Sequence, residues 1–280
     1  MDRKWWALVA SCVGTFLLLL DVTKVITALP QIEHDLGAGF GAAQWVIDAY
    51  LLAMSATLLT SGALADLFGH RRVFVIGLVV FTAASLGGGL ASGPGMLIGF
   101  RAVQGVGGAM MYATSLSLLA HNFHGKERGT AFGAWGAVTG VATGLGPSVG
   151  GALTSGIGWR AVLLINVPVG VAAILVALWG VPADRPADIG RRVDWPGFVT
   201  FTLGLLGLVY GITRAGETSW GDGLALGALI AGLVLLAVFV LIEARVTHPM
   251  FDLSLLRVPT FTGGLAAALT MNTPRARRRR

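Results

Sequence analysis

Four charged side chains lie inside apolar stretches of this sequence, where a lipid environment makes charge costly. Asp21 and Lys24 fall in the first stretch, Asp48 in the second and Arg101 in the fourth. A charge at the centre of a bilayer costs about 3 kcal/mol even on lenient insertion scales, so such residues usually face a protein interior and mark an ion or substrate path. An acid in a partly dry cavity can change its proton occupancy when the cavity opens to one side of the membrane. Proton-coupled transport requires this chemistry.

The depths of these side chains predict that they share one layer. Counting from the outer ends of their stretches, at about 1.5 Å per residue, places all four in the outer half of the bilayer. We hypothesise that Asp21 binds and releases a proton and that Arg101 adjusts its affinity. Lys24 follows Asp21 by three residues and can pair with it on one helix face. The alternative is that the charges only neutralise one another, with Asp48 close enough to its helix end to reach the headgroups.

The elements that position these residues are helices that cross a membrane. The 280-residue chain is 55% hydrophobic and 12% charged, whereas a soluble domain carries about 25% charged residues. Apolar runs of roughly 20 residues, the length needed to cross about 30 Å of hydrocarbon, recur along it. The predicted spans cover residues 5–29, 44–65, 73–91, 95–119, 130–154, 161–180, 197–213 and 224–242.

The distribution of positive charge predicts the orientation. With a cytoplasmic N-terminus, eleven Lys and Arg residues fall in inside segments and two in outside segments, in accord with the positive-inside rule. We therefore expect a multi-pass protein of the cell membrane, with the lipid bilayer as its surroundings. The net charge of +6 is no argument for nucleic-acid binding, because five arginines lie within residues 275–280.

A break rich in proline and charge follows the sixth span and sets the domain organisation. We predict an all-α, polytopic fold made of a six-span N-terminal bundle, two further spans and an incomplete ninth. The expected parts are the bundle (1–181), a cytoplasmic linker (182–196), two linking spans (197–243), a cytoplasmic segment with the incomplete span (244–272) and a basic tail (273–280).

The last apolar stretch, residues 260–272, has only 13 residues and is too short to span. We expect that the natural protein continues beyond it and that this chain is truncated. The alternative is a membrane protein that does not transport and acts through a partner or through its basic tail, which could hold anionic lipid at about 1 kcal/mol per basic residue.

Glycine-containing motifs stand at three places between and within the spans. A short turn joins spans two and three, and small residues at intervals of four in span five, among them Gly136, Gly140 and Gly144, predict close helix packing. Pro147 predicts a kink. The candidate conformational residues are Gly62, Asp66, Gly69, Arg71, Arg72, Gln104, Gly105, Gly146, Pro147, Gly150 and Gly151.

Together these motifs resemble those of the major facilitator superfamily. Residues 20–30 of span one, and the Gly158-Trp159-Arg160 and Asn166-Val167-Pro168 segments of span six, narrow the resemblance to its fourteen-span drug/proton antiporter branch, which includes multidrug exporters. The similarity covers residues 5–263, the N-terminal part only. It departs from the pattern at Ile26, where the family often has asparagine.

The resemblance implies export of small amphipathic compounds, driven by inward proton flow through alternating access of two six-span halves. It also implies that Asp21 and Arg101 take part in proton coupling, while Asp66, Arg71, Arg72 and the span-five motif control contacts between the halves. The missing C-terminal half leaves those contacts without partners, so we expect no transport by this chain alone.

Other function classes are less well supported by the sequence. A nutrient symporter would share the loop and span-four motifs, but the Gly146-Pro147 motif of span five argues against it. An enzyme is not expected, because the histidines fall mostly in loops and no nucleophile motif or metal-ligand cluster is present. The single cysteine, Cys12, excludes an internal disulfide and a cysteine-based metal site. No cofactor is expected, since the proton gradient would supply the energy.

Overall fold

The computed structural model describes residues 3–182, 194–246 and 262–263, and the regular structure in these residues is helical. Long apolar runs form the helices because a helix satisfies its own backbone hydrogen bonds in lipid. The helices are α1 (Arg3–Leu36), α2 (Phe40–Phe68), α3 (His70–Gly89), α4 (Pro94–Asn122), α5 (Gly125–Gly156), α6 (Trp159–Leu164), α7 (Asn166–Gly180), α8 (Trp195–Glu217) and α9 (Gly223–Glu243).

Each of the eight predicted spans falls almost wholly within these helices, and the sixth is divided. Pro168 lacks the N–H that would bond the carbonyl of Leu164, and the helix is interrupted at Ile165 between α6 and α7. In the described residues six segments are long and apolar enough to cross a membrane, with α6 and α7 counted as one. Helices α4 and α5, with 29 and 32 residues, are long enough to span but are not among these six segments. The protein is a multi-pass membrane protein.

Two predicted segments fall largely outside the described residues. Of the linker at 182–196, residues 183–193 are not described, and of the incomplete ninth span and basic tail only residues 262–263 are described. Those predictions stay predictions.

The packing of α1 against its neighbours positions the buried charges. Helix α1 contacts α4, α5 and α7, while α4 also lies against α2 and α3. Leu17, Tyr50, Phe74 and Phe81 form part of the shared core. Helices α8 and α9 pair with each other, and α8 reaches α2, where the Thr202 hydroxyl donates to a backbone carbonyl of α2 at 3.3 Å.

The turn between α8 and α9 depends on Asp222. Its carboxylate accepts from the backbone N–H groups of Leu224 and Ala225, at 2.8 and 3.0 Å, and so caps α9. It also pairs with Arg214, whose Nε lies 3.2 Å from Asp222 Oδ1. The hydrogen bond from Arg214 holds the pKa of Asp222 below its ordinary value.

A pair of substitutions separates the cap from the ion pair. We expect Asp222→Asn, which keeps the cap acceptor, to lower the thermal stability of the chain in detergent less than Asp222→Ala does. Because the folded-state pKa of Asp222 is depressed, its stabilisation is present above the unfolded-state value of about 3.9 and is lost as pH falls below it. The difference in melting temperature between wild type and Asp222→Asn should therefore shrink from pH 7 to pH 3. An unchanged difference would contradict the ion-pair role.

Candidate functional site

Three charged side chains and one amide meet at the centre of the bundle. Asp21 and Lys24 come from α1, Arg101 from α4 and Asn166 from the first position of α7. All four are at most 1% exposed. We call these four residues the buried polar cluster.

Arg101 is fixed by contacts in three directions. Its Nη1 donates to Asp21 Oδ2 and, at 2.9 Å, to Gln104 Oε1 on its own helix. Its Nε donates to the backbone carbonyl of Val46 on α2 at 3.0 Å. The guanidinium also lies over the ring of Tyr50, 4.1 Å from the ring centroid. A guanidinium with this many partners is preorganised to face one carboxylate.

Asn166 joins the other two charged residues. Its Nδ2 donates to Asp21 Oδ1 at 2.7 Å and to Ser85 Oγ on α3 at 2.9 Å, while its Oδ1 accepts from Lys24 Nζ. Lys24 Nζ lies 3.5 Å from Asp21 Oδ1. The cluster therefore ties α1, α3, α4 and α7 together.

The charges in the cluster do not balance. It contains two basic groups and one acid, so with all three ionised it carries one excess positive charge. Three buried polar atoms beside it, Arg101 Nη2, Gln104 Nε2 and the Tyr50 hydroxyl oxygen, have no hydrogen-bond partner among the described residues. Unbalanced charge and unpaired donors are costly in a low-dielectric interior. They are more typical of a site whose protonation or contacts change during function than of a site built only for stability.

The span-four and span-five glycines hold helices close to this cluster. A Cβ on Gly105 would meet the carbonyl of Tyr50, so the absence of a side chain lets α4 pack closely against α2 there. Gly146 and Gly150 are buried against α1, where a Cβ would meet Thr23 and Thr27 respectively. Pro147, between them in sequence, faces away and is exposed.

The other small residues of α5 do not make the predicted close contacts. A Cβ on Gly136, Gly140, Gly144 or Gly151 would meet nothing within 4 Å in the described structure. For Gly144 the reason is rotation about the helix axis: at about 100° per residue, Gly144 and Gly146 point to nearly opposite sides. Within the described residues close packing occurs at Gly146 and Gly150, and the prediction for the Gly136-Gly140-Gly144 row stays a prediction.

The motif between α2 and α3 forms a tight turn. Gly69 separates the two helices with φ of 94°, a conformation that side chains rarely adopt. Asp66 Oδ1 lies 3.4 Å from His70 Nε2, and Arg71 Nη2 donates to the carbonyl of Leu178 at the end of α7. Arg72 is exposed, and Gly62 has open space around it.

The match of the chain to a protein-family model identifies the kind of protein that contains this cluster. Residues 11–278 match the model of the Major Facilitator Superfamily. The chain belongs to this superfamily. Members of the major facilitator superfamily are transporters of small molecules and not enzymes.

Several relatives in the superfamily are named as antibiotic exporters or resistance proteins. The chain is 36% identical over 269 residues to the tetracenomycin C resistance and export protein of Streptomyces glaucescens, covering 96% of this chain and 50% of that protein. It is 41% identical over 249 residues to a puromycin resistance protein of Streptomyces alboniger, covering 89% and 49%. A cephamycin export protein of Amycolatopsis lactamdurans is 39% identical over 266 residues, covering 94% and 55%. The chain thus spans about half the length of these relatives.

Within this major facilitator chain, Asp48 lies apart from the cluster. It is half-buried and lines a cavity of about 330 Å³ between α1 and α2, together with Glu33, Gln44 and Phe40. Asp21, Lys24 and Arg101 meet as their depths suggested, but Asp48 makes no hydrogen bond to them among the described contacts. The transport roles of all four stay predictions. No group of three or more His, Cys, Asp or Glu placed to hold a metal occurs in the residues described.

Sequence reasoning missed the role of Asn166 and Ser85. Asn166 had served only to narrow the resemblance. One signal was available: an asparagine inside an otherwise apolar span, two residues before a proline, needs buried partners for its amide. Which partners it would find depends on how α7 is rotated, and the sequence does not report that rotation.

Proposed function

We propose that this chain forms the N-terminal half of a proton-coupled exporter of small amphipathic compounds, in the fourteen-span branch of the superfamily. The observation that carries this proposal is the buried polar cluster, held in a chain 36–41% identical to named antibiotic export and resistance proteins. Its acid and two basic groups lie inside the bundle, away from lipid. Such intramembrane charges mark ion and substrate pathways.

Proton coupling follows from the chemistry of the cluster. Asp21 accepts hydrogen bonds from Arg101 and Asn166 in the packing seen here. When the helices move apart during alternating access, water reaches the site and the proton occupancy of the cluster changes. Inward proton flow then drives export of substrate, and no cofactor takes part.

The orientation and the second half belong to the same proposal. The protein lies in the cell membrane with its N-terminus in the cytoplasm, and the Asp66–Arg72 turn faces the cytoplasm as well. The open row of α5, at Gly136, Gly140 and Gly144, faces the second half. Transport requires that half, and this chain alone does not export.

Complementation tests the proposal. The chain is expressed in an exporter-deficient, puromycin-sensitive host, alone and with the C-terminal half of the Streptomyces alboniger puromycin resistance protein. We expect resistance, and accumulation of puromycin in everted vesicles with an acid interior, only when both halves are present. Accumulation by the chain alone would refute the need for a second half. Acid-driven depletion of the vesicles would indicate a symporter, and no drug movement in any combination would refute the exporter proposal.

A deletion control addresses the alternative function through the basic tail. Removing residues 274–280 should leave complementation largely unchanged if the chain acts as a transporter. Loss of resistance on this deletion, with the chain still present in the membrane, would favour a protein that acts through its tail.

A further inference from the structure

We infer that Asn166 is a positioning residue for proton coupling: it holds the Lys24 ammonium beside Asp21 and links both to α7. This inference rests on the proposed function, but the contacts of Asn166 can be tested without a transport assay. Asn166 lies at the break between α6 and α7, and the family motifs gave it no role.

Lys24 is held in place by its contacts with Asn166 and Asp21. The side chain is fully buried, and its ammonium donates to Asn166 Oδ1 and lies 3.5 Å from Asp21 Oδ1, its ion-pair partner. An ammonium has three N–H donors, and a buried ammonium without acceptors carries a large desolvation penalty. The amide carbonyl of Asn166 and the carboxylate of Asp21 thus hold Lys24 Nζ between them.

The orientation of the Asn166 amide is fixed by the partners of its nitrogen. Asn166 Nδ2 donates to Ser85 Oγ at 2.9 Å, and the Ser85 hydroxyl donates in turn to the carbonyl of Leu163 at 2.9 Å. With Nδ2 held by Ser85 and Asp21, Oδ1 must point toward Lys24. Asn166 therefore presents a donor to the acid and an acceptor to the base, an arrangement complementary to an ionised pair.

Asn166 also links the buried polar cluster to a helix that can move. It is the first residue of α7, which packs against α1 and α3. Gly170, one turn later, lies against Thr82 of α3. The charged and titratable groups facing Lys24 from the neighbouring helices are Asp21 on α1, Arg101 on α4 and, across Arg101, Tyr50 on α2; α3 and α7 contribute Ser85 and Asn166. A displacement of α7 relative to α1 separates Asn166 from Lys24 and leaves the excess positive charge unsupported.

The reactivity of Lys24 provides the test. The chain has three lysines. Lys4, in the first turn of α1, is partly exposed and pairs with Glu127, and Lys126, in the first turn of α5, is exposed. The purified chain in nanodiscs is treated with deuterated formaldehyde and a borohydride, and modification of each lysine is followed by mass spectrometry. In wild type we expect Lys24 to be protected and the other two to react.

Three variants distinguish positioning from a merely structural role. Asn166→Leu removes the acceptor and should raise the rate of Lys24 modification by about tenfold or more. Asn166→Asp keeps an acceptor oxygen and should leave Lys24 protected. Ser85→Ala removes one of the two acceptors that orient the amide and leaves Asp21, so it should raise the rate less than Asn166→Leu does. Equal protection of Lys24 in Asn166→Leu, or equal exposure in Ser85→Ala, would overturn the inference.

A double variant covers the case in which Asn166→Leu does not fold. If Asn166 matters because it serves Lys24, Lys24→Met should restore a folded chain in the Asn166→Leu background, because no ammonium then needs an acceptor. A double variant that also fails to fold would show a structural role and refute positioning.

A transport assay of the chain together with the complementing half shows whether the position of Lys24 matters for proton coupling. Asn166→Leu should lose acid-driven accumulation while retaining exchange of labelled for unlabelled drug, and Ser85→Ala, which leaves Asp21 to hold the amide, should lose less of the accumulation. If Asn166→Leu retained acid-driven accumulation, the coupling role would be refuted. Failure of wild type to transport would refute the proposed function and leave the lysine-reactivity result standing.

Discussion

Asp21→Asn is expected to lower the free energy of unfolding of the chain by about 3–5 kcal/mol, the range found when one partner of a buried ion pair is removed. The physical reason is the charge imbalance: without the carboxylate, Arg101 and Lys24 become two buried cations with no acid beside them. The measurement is reversible unfolding by SDS in mixed micelles, followed by circular dichroism. In the complemented carrier the same variant should abolish acid-driven accumulation.

Two further variants show whether charge is the cause. Asp48→Asn makes the same chemical change in a half-buried acid outside the cluster and should shift the free energy of unfolding by no more than about 0.5 kcal/mol. Lys24→Met in the Asp21→Asn background removes one of the two unpaired cations and should recover a substantial part of the loss. If Asp21→Asn cost no more than Asp48→Asn, the electrostatic account would be wrong. If it left proton-driven transport intact, Asp21 would have no coupling role.

Gly150→Val should be the most disruptive single change in α5. A Cβ at this position would lie 2.7 Å from the Cα of Lys24 and closer still to the Thr27 hydroxyl, so α1 and α5 must separate. Overpacking of this kind costs about 1–3 kcal/mol. Because the displaced turn of α1 carries Lys24, we also expect faster modification of that lysine and loss of acid-driven accumulation in the complemented carrier.

Gly144→Val is the matched control, since it makes the same substitution in the same helix where a Cβ meets nothing within 4 Å. It shares the change in helix propensity and lacks the steric overlap, so the stability of the isolated chain should be unchanged or slightly raised. Equal destabilisation by the two variants would show that the α1–α5 contact at Gly150 is not what matters. In the complemented carrier Gly144→Val should reduce resistance if the open row faces the second half.

The axial positions of the functional residues could be predicted from the sequence, but their rotation could not. Hydropathy placed the helices to within several residues, and depth counting placed Asp21 and Arg101 at a common level, where the structure joins them. Neither pattern reports which way a helix is turned about its axis. The same reasoning therefore included Asp48, which lies in a separate cavity, and expected close packing at Gly140, which lies on the open face of α5.

The division of span six is a related case. Pro168 could be seen in the sequence, but a proline predicts a kink or a break without saying which. The consequence, that Asn166 becomes the first residue of α7 with its amide among the charges, depends on the positions of α1 and α3. Tertiary packing decides it, and the local sequence does not.

The close spacing of Asp21 and Lys24 also bears on how the chain is made. Asp21 precedes Arg101 by 80 positions and Asn166 by 145, so the ribosome delivers α1 to the membrane long before either of those partners has been synthesised. During that interval Lys24, three residues along the same helix, supplies a countercharge within one turn. The first helix can thus enter the bilayer without a net charge on that turn. Asp21 gains its hydrogen bonds to Arg101 and Asn166 as the later helices assemble around α1.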